Sequence, residues 1–119
     1  MTMTVRLIDD AAMLRETELK DWGPVAEPLG APVSETRGMI LDRATSGYPE
    51  SGVWECTPGV WRCEVDRAEF CHFLSGRCTY VHDEGDTIEI APGTTVWFPA
   101  GWRGQCTVRE TVRKVYVVV

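Results

Sequence analysis

From residue 38 onward, short runs of β-branched and aromatic residues alternate with clusters of Gly, Pro, Asp and Ser that return about every eight to twelve residues. This spacing predicts an all-β sandwich or barrel, with approximate strands at 37–43, 51–56, 60–66, 69–75, 77–82, 86–90, 95–98, 104–109 and 112–118. The punctuation between them has a mechanism. Ser75-Gly76 can supply positive φ, Asp83-Glu84-Gly85-Asp86 makes a polar hairpin tip, and Ala91-Pro92-Gly93 and Pro99-Ala100-Gly101 redirect the chain. Each glycine is read as a mark of strained backbone.

The first third is different. Apolar residues at Ile8, Ala11, Ala12, Leu14 and Leu19, with charges between them, suit a short helix over 8–20. From Trp22 to Pro32, three prolines and two glycines in eleven residues exclude a regular helix or a central strand. The expectation is one domain, in which an extended N-terminal arm (1–36) packs on a barrel (37–119).

Composition narrows the function classes. A chain of 119 residues, 44% hydrophobic and 25% charged, has the size and balance of one ordinary globular domain. Twelve basic against eighteen acidic residues give a net charge of −6, which repels phosphate backbones and anionic lipid, so no nucleic-acid or membrane partner is expected. There is no eighteen-residue apolar run, and MTMTVRLIDDAAM carries acids where a secretory apolar core would stand, so the expected location is cytoplasmic. Cys56, Cys63, Cys71, Cys78 and Cys106 are odd in number, form no C-x-x-C pair and fall in strand-like segments, which predicts free, mostly buried thiols. P-loop, G-x-G-x-x-G, G-x-S-x-G and H-E-x-x-H patterns are all missing. With His72 and His82 as the only histidines, one subunit cannot supply a three-histidine metal site.

Three segments, GVWECTPG (52–59), EFCHFLSG (69–76) and PGTTVWFPAG (92–101), followed by VRKVYVVV (112–119), together resemble the small single-domain cupins of the cupin-3, ureidoglycine aminohydrolase-like group. The resemblance implies a double-stranded β-helix, a jelly-roll barrel with a pocket at its mouth, assembled as a homodimer. It also implies two metal motifs, G-x5-H-x-H-x3,4-E-x6-G and G-x5-P-x-G-x2-H-x3-N. Glu69 and Gly76 reproduce the end of the first, but its histidine positions fall on Cys63 and Val65, or on Arg62 and Glu64 with the longer spacer. Gly93, Pro99 and Gly101 fit the second, whose histidine and asparagine positions fall on Gly104 and Val108. The motif frame is kept without its ligands, so no cofactor and no familiar metal centre is expected.

What remains is a polar pair inside a barrel. The frame puts Glu69 inward on a period-2 strand with Cys71 and Phe73, and a carboxylate there needs a cation, several hydrogen bonds or a raised pKa, the last making it a candidate general acid or base. Lys114 matches the lysine of the family's closing strand and is the preferred partner, Arg62 or backbone being the alternatives. Cys63 and Cys71, with Cys106 on the face of Gly104, could line the same pocket as soft ligands or a reactive thiol, or simply pack as core. His72 should face away from Glu69. His82 sits beside three carboxylates, where it gains a raised pKa and a loose cation site or is only part of a solvated loop.

Trp102 and Arg103, after the Pro99-Ala100-Gly101 turn, could hold a planar or anionic molecule at the mouth, although the five tryptophans could equally fill core or dimer interface. The leading expectation is a cupin that binds a small polar or anionic metabolite through Glu69, Lys114, Cys63, Cys71, Phe73, Trp102 and Arg103, with Glu69 as candidate catalytic residue. One alternative is a Mn(II) aminohydrolase acting on a ureide, with Glu69, His72 and Gln105 as crude ligands. The other is a non-catalytic dimeric module with a dry, filled barrel.

Overall fold

The computed structural model describes residues 3–119, so the first two residues of the arm lie outside the described residues. Among the described residues eight strands form: β1 (Lys20–Pro24), β2 (Glu35–Arg43), β3 (Glu50–Cys56), β4 (Gly59–Glu64), β5 (Glu69–His82), β6 (Thr87–Ile90), β7 (Thr95–Phe98) and β8 (Arg103–Val118). All pairings between them are antiparallel.

Two long strands organise the rest. Segments 69–75 and 77–82 are continuous in β5, and 104–109 and 112–118 are continuous in β8, where the sequence suggested four separate strands. The physical reason is at Gly76. Its φ of +85° lets β5 turn a corner without ending, with register shifts against β8 between Phe73 and Cys78. A β-carbon there would run into the Thr111 carbonyl, so the two strands bend in close contact.

Each long strand therefore serves two sheets. The C-terminal half of β8 pairs with β3 and with the first half of β5, extending through β2 to β1 on one side and to β7 on the other. Its N-terminal half pairs with β4 and the second half of β5, which carries β6. The inner faces of the two sheets share one core, in which Cys71, Phe73 and Val112 of the first meet Cys78, Tyr80 and Cys106 of the second. This is the all-β jelly-roll arrangement expected of the sequence. All five cysteines are free and buried in it.

The N-terminal segment departs from expectation. In place of a helix over 8–20 there are two single 3-10 turns, Ala11–Met13 and Glu16–Glu18. The carbonyls of Ala11, Ala12 and Leu14, which a longer helix would use internally, instead accept hydrogen bonds from Arg113 Nη1 at 3.1, 3.2 and 2.6 Å. Arg113 also holds Glu55 through Nη2 at 2.7 Å, and Arg37 approaches the same carboxylate at 2.8 Å. An ion-paired row on the outside of the first sheet thus binds the arm down. After it, β1 is an edge strand that ends at Pro24, in keeping with the proline-rich sequence beyond. No helix among the described residues is long and apolar enough to cross a membrane.

Candidate functional site

The polar centre of the barrel is built by β5 and β8. Phe73 and Lys114 are register partners, so Lys114 points into the barrel beside the inward row of Glu69, Cys71 and Phe73. Lys114 Nζ donates to Glu69 Oε2 at 2.6 Å and to Cys71 Sγ at 3.4 Å, and the Cys71 thiol donates to the same carboxylate oxygen at 3.1 Å. The ammonium also stands 4.5 Å from the centre of the Trp54 ring. Burial pushes the lysine pKa down, but the charge and hydrogen bonds of Glu69 and Cys71 together outweigh it and the net shift is upward, so Lys114 is a firm cation. Burial drives the Cys63 and Cys71 thiols up to about 12, so neither is a thiolate near neutral pH.

Above this centre opens a pocket of about 350 Å³. Trp22, Trp54, Trp61, Tyr48 and Tyr116 give it aromatic walls, while Glu50, Glu64, Asp66 and Glu69 bring carboxylates to it. Trp54 and Trp61 meet edge to face at 6.3 Å between ring centres. Trp22 is the extra residue of a β-bulge between Asp21 and Gly23, pinned by Gly23 N–H on Asp21 Oδ1 at 2.8 Å and Thr36 Oγ1–H on the Gly23 carbonyl at 2.8 Å. The bulge lays its indole over Gly38, where a β-carbon would overlap the ring.

The residues singled out from sequence separate into two groups. Glu69, Lys114 and Cys63 line this pocket, whereas Cys71 and Phe73, expected to line it, are fully buried in the core and do not. Trp102 and Arg103 do not line it. Trp102 packs instead on Tyr80 at 6.0 Å, Phe98 at 5.2 Å and His82 at 5.4 Å, because the chain after Gly101 folds the indole back onto the second sheet. Arg103 is exposed and pairs in register with Glu64. His72 faces away as expected, with Nδ1 2.9 Å from Thr95 Oγ1, and Gln105 is exposed, so Glu69, His72 and Gln105 are not brought together. At the hairpin tip Arg62 holds Asp83 in two hydrogen bonds of 2.7 and 3.0 Å, and His82 Nδ1 accepts the Glu84 N–H.

The family model of the EutQ-like cupin domain matches residues 43–116. The chain belongs to this cupin family. No curated protein matches it. Among solved structures, it is similar to a DUF861-family protein from Pseudomonas syringae pv. tomato, with 22% identity and a TM-score of 0.78 over 91% of this chain and 46% of that one. The EutQ protein of Clostridium difficile is 18% identical, with a TM-score of 0.63 over 78% of this chain and 75% of that one. A DUF861-family protein from Thermotoga maritima is 26% identical, with a TM-score of 0.55 over 69% of this chain and 99% of that one. The chain thus spans about half of the Pseudomonas protein's length, at 46%.

The cupin metal motifs can now be tested against the side chains that stand in their places. Glu69, the one matching ligand, already carries an ammonium at 2.6 Å. Cys63 offers a protonated thiol, and Val65 offers no donor at all. Gly104 cannot be replaced by a ligand without rearrangement, since a β-carbon there would lie 2.5 Å from Trp102 Cη2 and would overlap the Val81 carbonyl. Among the described residues no three His, Cys, Asp or Glu side chains gather to hold a metal ion. This donor set does not fit the cupin metal centre.

Sequence reasoning missed most of the aromatic wall. Trp22 and Tyr48 come from segments that the sequence reads as arm and loop, and Trp54 and Trp61 read equally as core or dimer interface. One signal was present in outline: Gly38, Gly52 and Gly104 lie inside strands without positive φ, and Trp22, Tyr116 and Trp102 approach them. Gly38 and Gly104 make room for indole rings and Gly52 for the Tyr116 hydroxyl; none of the three marks strain.

Proposed function

We propose that this cupin binds a small polar metabolite in the pocket above the Glu69–Lys114 pair, without the three-histidine metal centre of its catalytic relatives. The observation that carries the reading is the pair itself. An ion pair drawn into a barrel gives up hydration that apolar residues of the same volume would not, so its retention beneath an open pocket argues for use more than for stability. The wall supports it: apolar aromatic surface with a few convergent polar groups is the usual make-up of a small-molecule site. A pocket of about 350 Å³ also counts against a scaffold whose barrel is packed full by its own side chains.

Thermal-shift screening of a broad metabolite library against wild type, Glu69→Ala and Glu69→Gln is the test. At least one compound should raise the wild-type melting temperature by several degrees, with most of that shift lost in both variants. A library without a single stabilising compound would count against a binding function.

A further inference from the structure

The charge of the ligand follows from how the pocket's own charges are already spent. This inference rests on the reading that the pocket is a binding site. Its only cations are Lys114 and Arg67, against the carboxylates of Glu50, Glu64, Asp66 and Glu69. Both cations are committed: Lys114 to Glu69 at 2.6 Å, and Arg67 to the Val119 carbonyl at 2.8 Å, with its guanidinium 3.8 Å above the Tyr48 ring. Glu50 is engaged as well, by Arg43 at 2.7 Å and by the Tyr116 hydroxyl at 2.7 Å. Glu64 and Asp66, both exposed at the rim, have no ion-pair partner among the described residues.

An anion entering here would meet Asp66 and Glu64, neither held in a close ion pair although Arg103 is the register partner of Glu64, and would have to displace Glu69 to reach Lys114. A cation would meet those carboxylates as partners and a wall lined by Trp22, Trp54 and Trp61 as a second source of attraction. The chain itself supplies the precedent, because the Lys114 ammonium already sits 4.5 Å over Trp54. We propose that the pocket takes a small organic cation, a protonated amine or quaternary ammonium group, held against the tryptophan wall and balanced by Glu64 and Asp66. The anionic class suggested by Trp102 and Arg103 loses its basis once those two side chains are found outside the pocket.

The test compares benzyltrimethylammonium, benzyl alcohol and benzoate, which share a ring and differ in charge, by tryptophan fluorescence and thermal shift at low ionic strength. The ammonium should quench and stabilise at millimolar concentration, benzyl alcohol should act more weakly, and benzoate should do nothing. The exposed double change Glu64→Gln, Asp66→Asn should keep the melting temperature and weaken the ammonium roughly three- to tenfold, an electrostatic effect that shrinks with added salt. Benzoate or benzyl alcohol binding as well as the ammonium would overturn the cationic assignment while leaving a binding pocket. If none of the three probes acts, the assignment also fails. If the metabolite library is silent as well, the binding reading falls with it.

Discussion

The indole of Trp102 lies over Gly104, so close that a β-carbon on the glycine would stand 2.5 Å from its Cη2 atom. By the spacing of the second cupin motif, Gly104 falls where the resemblance places a histidine. The missing ligand has therefore not left a gap for another donor; its space is filled by a ring that belongs to the Tyr80 and Phe98 cluster. Gly104→His should destabilise the protein and fail to bind Mn(II) or Zn(II). Gly104→Ala, which adds only the β-carbon, should lower stability by about 1–3 kcal/mol in urea titrations, the usual cost of overpacking. Neutral behaviour of the alanine variant would show that Trp102 yields readily and that the position is not closed to a side chain.

The Glu69–Lys114 pair makes a separate prediction about stability. Lys114→Met strands a carboxylate that is 20% exposed beside Cys71, and should cost roughly 3 kcal/mol. Glu69→Gln combined with Lys114→Met removes both charges and should recover much of that loss. Chemical denaturation of the single and double variants gives the coupling energy directly. Additive losses would mean that the two groups do not stabilise each other.

Alkaline pH should act on the same region. Burial pushes the thiol pKa of Cys56 from 9.0 up to about 11, and those of Cys63 and Cys71 up to about 12. Lys114, lowered by burial but raised more by Glu69 and Cys71 together, ends above its ordinary 10.5. For every one of these groups the folded chain keeps its proton longer than the unfolded chain. Their contribution is thus complete below the unfolded pKa and is lost as pH rises through the folded one. Melting temperature should fall from about pH 9 upward as unfolded-state thiols ionise, and further above 10.5 as the lysine follows. Replacing Cys56 and Cys63 with Ala should flatten the first part of the decline. Native protein at pH 8 should leave all five thiols unreactive toward a disulfide reagent until it is unfolded.

Arg113 ties the N-terminal segment to the barrel. Its guanidinium serves the Glu55 carboxylate and the carbonyls of Ala11, Ala12 and Leu14 together. Arg113→Lys keeps the charge but cannot reach all four acceptors, so hydrogen exchange over residues 11–19 should accelerate at least tenfold while β5 and β8 stay protected. Uniform acceleration across the whole chain would point to global destabilisation in place of a local latch.

The sequence by itself determined the elements that depend on local rules. Strand periodicity, turn glycines and prolines, and the shared face of Glu69, Cys71 and Phe73 were legible, because alternation and backbone sterics act over a few residues; that this face points inward, and that histidine is absent from the motif positions, came from the family resemblance. Lys114 was named as the candidate partner of Glu69 from its match to the family's closing strand, and the structure brings the two together at 2.6 Å. Only the tertiary structure decided what surrounds that pair. Gly76 carries β5 through a corner where the sequence suggested a break, and Arg113 takes the carbonyls that a helix over 8–20 would have used. A bulge at Trp22 and the bare backbone of Gly38 bring an arm residue into the pocket wall, while Gly104 draws Trp102 out of it. Those outcomes depend on which rings reach which glycines across strands distant in the chain, a matter of three-dimensional packing that no short-range pattern encodes.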